Sequence, residues 1–180
     1  MGDHRGRITW PAWFGYDVFI SYVRTEASTY AERLHKELIE ADLACFLDRE
    51  ESHAGQELGA ALRKAIRRSG LFVLLITRSA WSRPWVLDEI KEARQLNRPI
   101  IPLIVDTVDQ ESIDSRLKCL GIADRVWISE TVEPLTATQP TPRVVHEILK
   151  LGMCLTQVAA TLARGMAVLS WPGIRPTISS

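Results

Sequence analysis

The sequence predicts an α/β protein built on a parallel β-sheet with helices on both faces. Short apolar runs alternate along the chain with longer segments in which apolar residues recur every three or four positions. This alternation is typical of strands that are connected by amphipathic helices. The run LFVLLIT at 71–77 is apolar at nearly every position, as expected of a central strand that helices cover on both sides.

Two strands and two helices are predicted before this central strand. YDVFIS at 16–21 and LACFLD at 43–48 are the predicted strands. Between these strands, apolar residues recur at spacings of three and four, which predicts an amphipathic helix. After the second strand, a polar loop at 49–56 precedes a second helix. The predicted core-facing residues of these helices are Ala27, Tyr30, Leu34 and Leu38, then Leu58, Leu62, Ala65 and Ile66.

The second half of the chain continues the alternation. Pro84 suits the first turn of a helix at roughly 84–97, whose Val86, Ile90 and Ala93 would face the core. PIIPLIV at 99–105 and DRVWIS at 124–129 are predicted strands on either side of a short helix at 110–119, and a last helix begins after Pro142. Right-handed crossovers then predict a flavodoxin-like five-stranded parallel sheet of order 2-1-3-4-5, flanked by helices.

This strand order predicts where a ligand would bind. The first and third strands are neighbours whose following connections run to opposite faces, which opens a crevice beyond their carboxyl ends. SYVRTE at 21–26 and TRSAWSRPWVLDE at 77–89 border that crevice. Trp85 and Glu89 are four residues apart, so they share a helix face. Glu89 would be a partly desolvated carboxylate facing the crevice; the alternative is a solvated surface residue within the charged run 88–92.

Composition excludes several classes of function. The 180 residues contain 22 Lys and Arg against 22 Asp and Glu, so this domain lacks the excess positive charge that nucleic-acid binding needs. Cys45, Cys119 and Cys154 lie far apart in apolar runs, which predicts reduced, buried thiols rather than disulfides or a zinc site. No secretory signal precedes Asp17, so we predict a cytoplasmic protein.

Common cofactor motifs are also absent from the sequence. No GxGxxG follows the first predicted strand, and there is no GxxxxGK(S/T), no HxxxH and no Cys/His cluster with metal spacing. Neither a bound cofactor nor a metal site is therefore predicted. A phosphoacceptor receiver domain would need acidic residues after the first strand, where this chain has Ser21, Tyr22 and Val23.

Three segments together resemble a known family. YDVFISY at 16–22, FLD at 46–48, and SAW at 79–81 followed by WVLDEI at 85–90 are similar, in this order and spacing, to the Toll/interleukin-1 receptor (TIR) domain. The resemblance covers residues 15–150, which leaves an N-terminal extension at 1–14 and an apolar C-terminal tail at 151–180. The last segment is most similar to the plant and bacterial branch, in which the helical glutamate is the catalytic residue of an NAD-cleaving enzyme.

The resemblance implies that Glu89 is the catalytic residue of an NAD+ glycohydrolase (an NAD+ nucleosidase), with NAD+ as substrate rather than cofactor. Nicotinamide in NAD+ is already a pyridinium cation, so it leaves as a neutral molecule and needs no general acid, unlike the leaving group of a glycosidase. One carboxylate could hold the ribose hydroxyls and offset the charge that develops on the ring. Whether the product is ADP-ribose, a cyclic isomer or a transferred group stays open.

The same resemblance implies six substrate-binding positions. Arg24 would pair with the pyrophosphate or be solvent-exposed, and Trp85 would pack on nicotinamide or ribose, or else in the core. The loop at 49–57 matches a mobile gating loop of the family, whereas its His53 is predicted to be solvated. Val23 stands where relatives often carry Arg or another polar residue, so the resemblance gives less support for phosphate binding by the loop after the first strand. The six positions are Ser21, Tyr22, Arg24, Asp48, Gly55 and Trp85.

The resemblance also implies partners. Copies would self-associate through TIR–TIR contacts that switch on cleavage in immune or cell-death signalling, such as bacterial antiviral defence. A fused or separate sensor domain would supply the trigger. The alternative is an adaptor module that signals without turnover, although the second loop reads HAG at 53–55 and lacks the Pro-Gly pair of animal adaptors.

An apolar stripe runs from the last predicted helix into the tail, and three interpretations are open. The tail could extend that helix against the domain or a neighbouring copy, or join a further domain. A membrane span is disfavoured by Thr156, Gln157 and Pro172. The stripe consists of Val144, Ile148, Leu151, Leu155, Val158, Leu162 and Leu169.

Overall fold

A computed structural model describes residues 15–48, 59–105, 110–122, 128–130 and 139–152 of the chain. It confirms the predicted fold: five parallel strands form one sheet of order β2-β1-β3-β4-β5. The strands are β1 (Tyr16–Ser21), β2 (Cys45–Leu47), β3 (Ser69–Ile76), β4 (Ile100–Ile104) and β5 (Ile128–Ser129). The helices are α1 (Arg24–Glu40), α2 (Ala60–Arg67), α3 (Pro84–Gln95), α4 (Gln110–Cys119) and α5 (142–152), with a short 3₁₀ turn at Ala80–Ser82.

The helices divide between the two faces of the sheet. Because side chains alternate along a strand, Val18 and Ile20 of β1 pack with α1 and α5, whereas Phe19 packs with α2, α3 and α4. We call these two sides the α1 face and the α3 face. Every residue of β3 is buried, which confirms the prediction of a central strand that is covered on both sides.

Two helices end at non-glycine residues with positive φ. Asp42 (φ 65°) follows α1 and Asn97 (φ 52°) follows α3, and both residue types tolerate this left-handed conformation. Beyond them, the Leu43 N–H donates to the Leu38 carbonyl oxygen at 3.0 Å, and the Arg98 N–H donates to that of Ala93 at 2.8 Å. These 6→1 hydrogen bonds are those of Schellman motifs, which end the helices and direct the chain towards β2 and β4.

Glu130 connects three elements at the carboxyl end of the sheet. Its Oε1 accepts hydrogen bonds from the Tyr30 hydroxyl of α1 at 2.5 Å and from the Thr141 N–H at 2.9 Å. Its Oε2 accepts from the Thr141 hydroxyl at 2.9 Å. Burial and the neighbouring Glu130 raise the pKa of Tyr30, so this hydroxyl stays a donor. The residue after β5 therefore ties α1 to the start of α5.

The prediction of buried thiols is wrong for Cys119 and only partly right for Cys45. Cys119 is exposed and Cys45 is half-buried. The helix face of α4 that packs on the sheet carries Ile113 and Leu117, and Cys119 lies two residues further on, away from that face. Burial, followed by the nearby Asp17, raises the pKa of the Cys45 thiol to about 12, so it is a poor nucleophile.

Several predictions fall outside the described residues. They are the loop at 49–57 with His53 and Gly55, the start of the fifth predicted strand, Leu58, Cys154 and the apolar stripe beyond Leu151. Within the described ranges, no helix combines the length and the hydropathy that a membrane crossing requires.

Candidate functional site

Three of the predicted site residues meet at the carboxyl edge of the sheet. Ser21 ends β1 and Asp48 follows β2, and the pairing of Phe19 with Phe46 places the two at the same level. Because Phe19 and Phe46 both pack on the α3 face, alternation directs Ser21 and Asp48 to that face as well. Glu89 of α3 lies against them, and both side chains act on its carboxyl group.

Glu89 is buried to a degree that the sequence did not predict. Only 1% of its surface is exposed, although helical spacing placed it at the flank of the core stripe. Glu89 belongs to the same set of buried α3 residues as Ile90 and Ala93. The side of α3 that carries Glu89 is therefore covered as well as the side that carries the apolar residues. The interpretation of Glu89 as a solvated surface residue is therefore wrong.

The protonation state of Glu89 follows from this burial. Desolvation is the larger cause and the Asp48 carboxylate the next, and together they raise the pKa of Glu89 well above its usual value, against the effect of the Ser21 hydroxyl. Asp48 is half-buried, and a like charge beside Glu89 couples the titration of the two carboxyl groups. The neutral form of Glu89 is therefore favoured more strongly than in a solvated glutamate.

Two polar atoms in this site retain hydrogen-bonding capacity. Ser21 Oγ and Glu89 Oε1 are buried, and neither makes a hydrogen bond of standard geometry within the described part of the chain, although the two groups are neighbours. Buried polar atoms are rarely left in this condition in native proteins. Their position between the end of β1 and α3 suits them to a ligand that carries hydroxyl groups.

Trp85 lies one helical turn before Glu89. It is half-buried, and part of its ring packs against the core cluster on the α3 face. The Arg83 guanidinium lies over the ring, with its central carbon 5.5 Å from the ring centroid. Trp85 thus contributes to core packing and keeps part of its surface exposed, and its contact with nicotinamide or ribose stays a prediction.

The fold does not bring Tyr22 and Arg24 to this carboxyl group. Tyr22 is buried in the core cluster of the α1 face, since it alternates with Ser21. Arg24 is the first residue of α1 and is exposed. A direct contact between Tyr22 and a ligand at Glu89 is therefore a prediction that the fold does not support, and Arg24 remains a prediction for a more distant part of the ligand.

Glu26 lies at the crevice and is not among the site residues that the sequence predicts. It is half-buried, and its Oε2 accepts a hydrogen bond from the Ser79 N–H at 3.3 Å. Burial would raise the pKa of Glu26, but hydrogen bonds from Ser79 and Thr77 and the charge of Arg83 outweigh it, so the pKa lies below the usual value. The available signal was that Glu26 and Ser79 belong to the two segments bordering the crevice.

Asp17 is a second buried acidic residue, with 8% of its surface exposed. Its Oδ2 accepts a hydrogen bond from the Ala44 N–H at 2.7 Å. Burial, opposed by this bond, raises its pKa. Asp17 lies near the start of β1, far from the carboxyl edge of the sheet. Its hydrogen bond connects β1 to the residue that precedes β2.

No group of three or more potential metal ligands occurs among the described residues. The chemistry that these residues supply is that of a carboxyl pair, one hydroxyl and one indole ring. Such a site can hold a polyhydroxylated ligand and stabilise a developing positive charge.

Comparisons with known proteins agree with this architecture. The family described as "TIR domain" matches residues 18–137. Among solved structures, the TIR domains of the activated Roq1 resistosome that recognises the pathogen effector XopQ are 20% identical, with 76% of this chain and 98% of that chain covered and a TM-score of 0.53. A TIR-STING receptor from C. gigas, in complex with 2′,3′-cGAMP, is 16% identical, with 81% of this chain and 41% of that chain covered and a TM-score of 0.58.

Proposed function

The chain belongs to the TIR domain family, and from that premise we propose that it is an NAD+ glycohydrolase whose catalytic residue is Glu89. The observation that carries this proposal is the buried Glu89 carboxyl group beside Asp48 and Ser21 at the switch point of the sheet. A buried acid with a strongly shifted pKa in a crevice is costly for stability and is typical of active sites.

The proposed reaction breaks the bond between ribose C1′ and the nicotinamide nitrogen. The bonding electrons move to the nitrogen, which was cationic and becomes neutral, so positive charge is left on the ribose ring. The carboxyl pair of Asp48 and Glu89 faces that charge in a site with little water, where electrostatic stabilisation is strongest. Ser21 Oγ and Glu89 Oε1 would hold the ribose hydroxyls.

Substrate binding would change the protonation of the pair. A cationic ligand within a few ångströms favours the ionised form of Glu89, which lowers its pKa and releases its proton. Water then adds to C1′ and gives its proton to the carboxylate, so NAD+ and water yield ADP-ribose, nicotinamide and one proton. If a different nucleophile reaches C1′, the same site yields a cyclic isomer or a transfer product.

Self-association is the proposed switch for this activity. The Roq1 TIR domains occur in an activated resistosome that recognises a pathogen effector, which supports a role of this chain in immune or antiviral signalling. The chain would act in the cytoplasm, with a fused or separate sensor domain that brings copies together. Its zero formal net charge allows copies to pack without long-range repulsion.

The test is incubation of the purified protein with NAD+, both in dilute solution and clustered on a multivalent scaffold, with chromatographic measurement of free nicotinamide. We expect release from the clustered protein, and a loss of at least about a hundred-fold in Glu89→Ala and Glu89→Gln. The matched control is Glu111→Gln, which changes an exposed carboxylate of α4. Release that is equal in the native protein and Glu89→Ala would overturn the proposal.

A second candidate is an interaction module that signals through TIR–TIR contacts without turnover. Val23 favours it, since only 1% of this side chain is exposed and it packs into the core of the α3 face. With Tyr22 also buried, the loop after β1 offers few polar groups to a phosphate. Absence of nicotinamide release from the clustered protein would favour this candidate.

A further inference from the structure

We propose that Arg83 is a positioning residue that fixes the ring of Trp85 at the wall of the substrate crevice, and that Glu26 holds Arg83 in place through Ser79. The inference rests on the proposed function, since the crevice wall matters to NAD+ only if NAD+ binds beside Glu89. No residue in this series of contacts was a candidate from the sequence except Trp85.

The contact between Arg83 and Trp85 orients the ring. The guanidinium lies over the indole at 5.5 Å from its centroid, which is within the range of a favourable cation–π interaction. One face of the ring is thereby covered, and part of the ring packs on the core. Trp85 is half-buried, so part of its side chain stays exposed, and Glu89 follows one helical turn later on the same helix face.

The position of Arg83 is itself fixed by two neighbours. Its Nε donates to Ser79 Oγ at 3.3 Å, and the Ser79 N–H donates to Glu26 Oε2 at 3.3 Å. Its backbone is extended, with φ −92° and ψ 112°, as required before Pro84 at the start of α3. The backbone conformation and the side-chain hydrogen bond of Arg83 therefore both keep its guanidinium over the Trp85 ring.

Glu26 also adjusts the charge of the crevice. The nicotinamide ring of NAD+ is cationic, so an uncompensated guanidinium near Trp85 would oppose its binding. The Glu26 carboxylate interacts with the Arg83 charge, and its lowered pKa keeps it ionised. The series Glu26, Ser79, Arg83 and Trp85 thus joins the first turn of α1 to α3, across the two segments that border the crevice.

The chain offers a matched control for this proposal. Arg116 of α4 lies over the ring of Trp81, with its central carbon 5.5 Å from that ring centroid. The two pairs share the same chemistry and distance, and Trp81 has no place in the proposed site. Arg83→Gln and Arg116→Gln therefore remove equivalent contacts from different tryptophans.

The experiment measures the indole N–H resonances by NMR, with Trp85 and Trp81 assigned through Trp85→Phe and Trp81→Phe, and the KM and kcat for NAD+. We expect Arg83→Gln to move the Trp85 resonance without ligand and to raise KM about two- to five-fold, with kcat little changed, as loss of one cation–π contact implies. Arg83→Lys should restore part of the effect. Glu26→Ala should act in the same direction, and Glu26→Gln less, because its amide oxygen still accepts from Ser79.

An unmoved Trp85 resonance in Arg83→Gln, or an equal rise of KM in Arg116→Gln, would overturn the inference. The resonance of Trp85 on addition of ADP-ribose supplies a readout that needs no turnover. If neither the native protein nor any variant releases nicotinamide from NAD+, the proposed function fails. In that case, a Trp85 response to ADP-ribose that weakens in Arg83→Gln still supports the positioning role, and no response refutes it.

Discussion

The carboxyl group of Glu89 is buried beside that of Asp48, at the point where β1 and β2 end under α3. Two carboxyl groups in this arrangement cannot both ionise at low cost, because the dielectric is low and the charges are alike. The native fold therefore favours the protonated form of Glu89 more strongly than the unfolded chain does. This relationship makes the proposed catalytic residue measurable through stability as well as through turnover.

Replacement of Glu89 by Gln should stabilise the protein at neutral pH. The folded pKa of Glu89 lies above the unfolded value of about 4.3, so the folded state binds the extra proton between those two values. Stability then falls as the pH rises above the unfolded pKa, and Glu89→Gln removes this loss. Each unit of pKa difference corresponds to about 1.4 kcal/mol, or about 3–5 °C in Tm for a domain of this size.

The measurement is thermal unfolding of the native protein and Glu89→Gln between about pH 4 and pH 8, with Glu111→Gln as the exposed control. The gap in Tm should widen towards pH 8 and close near pH 4. A gap that stays constant across this range would show that Glu89 does not carry the bound proton.

Asp48→Asn should lower the pKa of Glu89 without returning it to the usual value. The substitution removes the like charge, whereas desolvation, the larger cause, stays in place. The titration of Glu89, followed by NMR with carboxyl-labelled glutamate and assigned through Glu89→Gln, should move to lower pH. A Glu89 pKa that is unchanged or higher in Asp48→Asn would exclude the coupling between the two groups.

Tyr30→Phe should loosen α5. The Tyr30 hydroxyl donates to Glu130 at 2.5 Å, and its loss leaves a partly buried carboxylate with one donor fewer, at a cost of about 1–2 kcal/mol. Chemical denaturation should show this loss, and hydrogen exchange should show it first in the amides of 144–150. Tyr16→Phe is the control, since Tyr16 makes a ring contact with Phe46; an equal loss in both variants would contradict the role of Glu130.

Gly121→Ala should destabilise the protein by about 1 kcal/mol or more, because Gly121 has a φ of +65° and an added Cβ would lie 2.7 Å from the Arg94 guanidinium. Gly59→Ala is the matched variant, since a Cβ at Gly59 meets nothing within 4 Å. Gly59 is the N-cap of α2, where Ala is less favourable than Gly, but Ala also lowers the entropy of the unfolded chain, so the two effects should offset to within about 0.5 kcal/mol. Similar free energies of unfolding in the two variants would contradict this account.

The strands and helices could be predicted because the apolar pattern of each element is a local property of the sequence. The strand order then followed from the rule that crossover connections are right-handed. Strand alternation was sufficient to separate Ser21 from Tyr22, since the two side chains of an extended segment point to opposite faces. The prediction that both bind substrate instead came from resemblance to a family. Alternation from Phe19 to Ser21 would have directed only Ser21 towards α3.

The depth of Glu89 and the role of Glu26 could not be predicted in this way. Helical spacing gives the direction of Glu89 relative to Ile90, but its burial depends on how closely α3 packs on the sheet, which is a tertiary property. Glu26 and Ser79 are 53 positions apart, and their contact depends on the start of α1 lying beside the end of β3. A charged residue in a first helical turn gives no sign of such a partner.

The Glu130 carboxylate makes the attachment of the C-terminal helix depend on a single side chain. The Tyr30 hydroxyl and both the N–H and the hydroxyl of Thr141 donate to it. One substitution at Glu130 would therefore remove the hydrogen bonds of α1 and of the start of α5 together, whereas the apolar contacts of Val144 and Ile148 with the α1 face would remain.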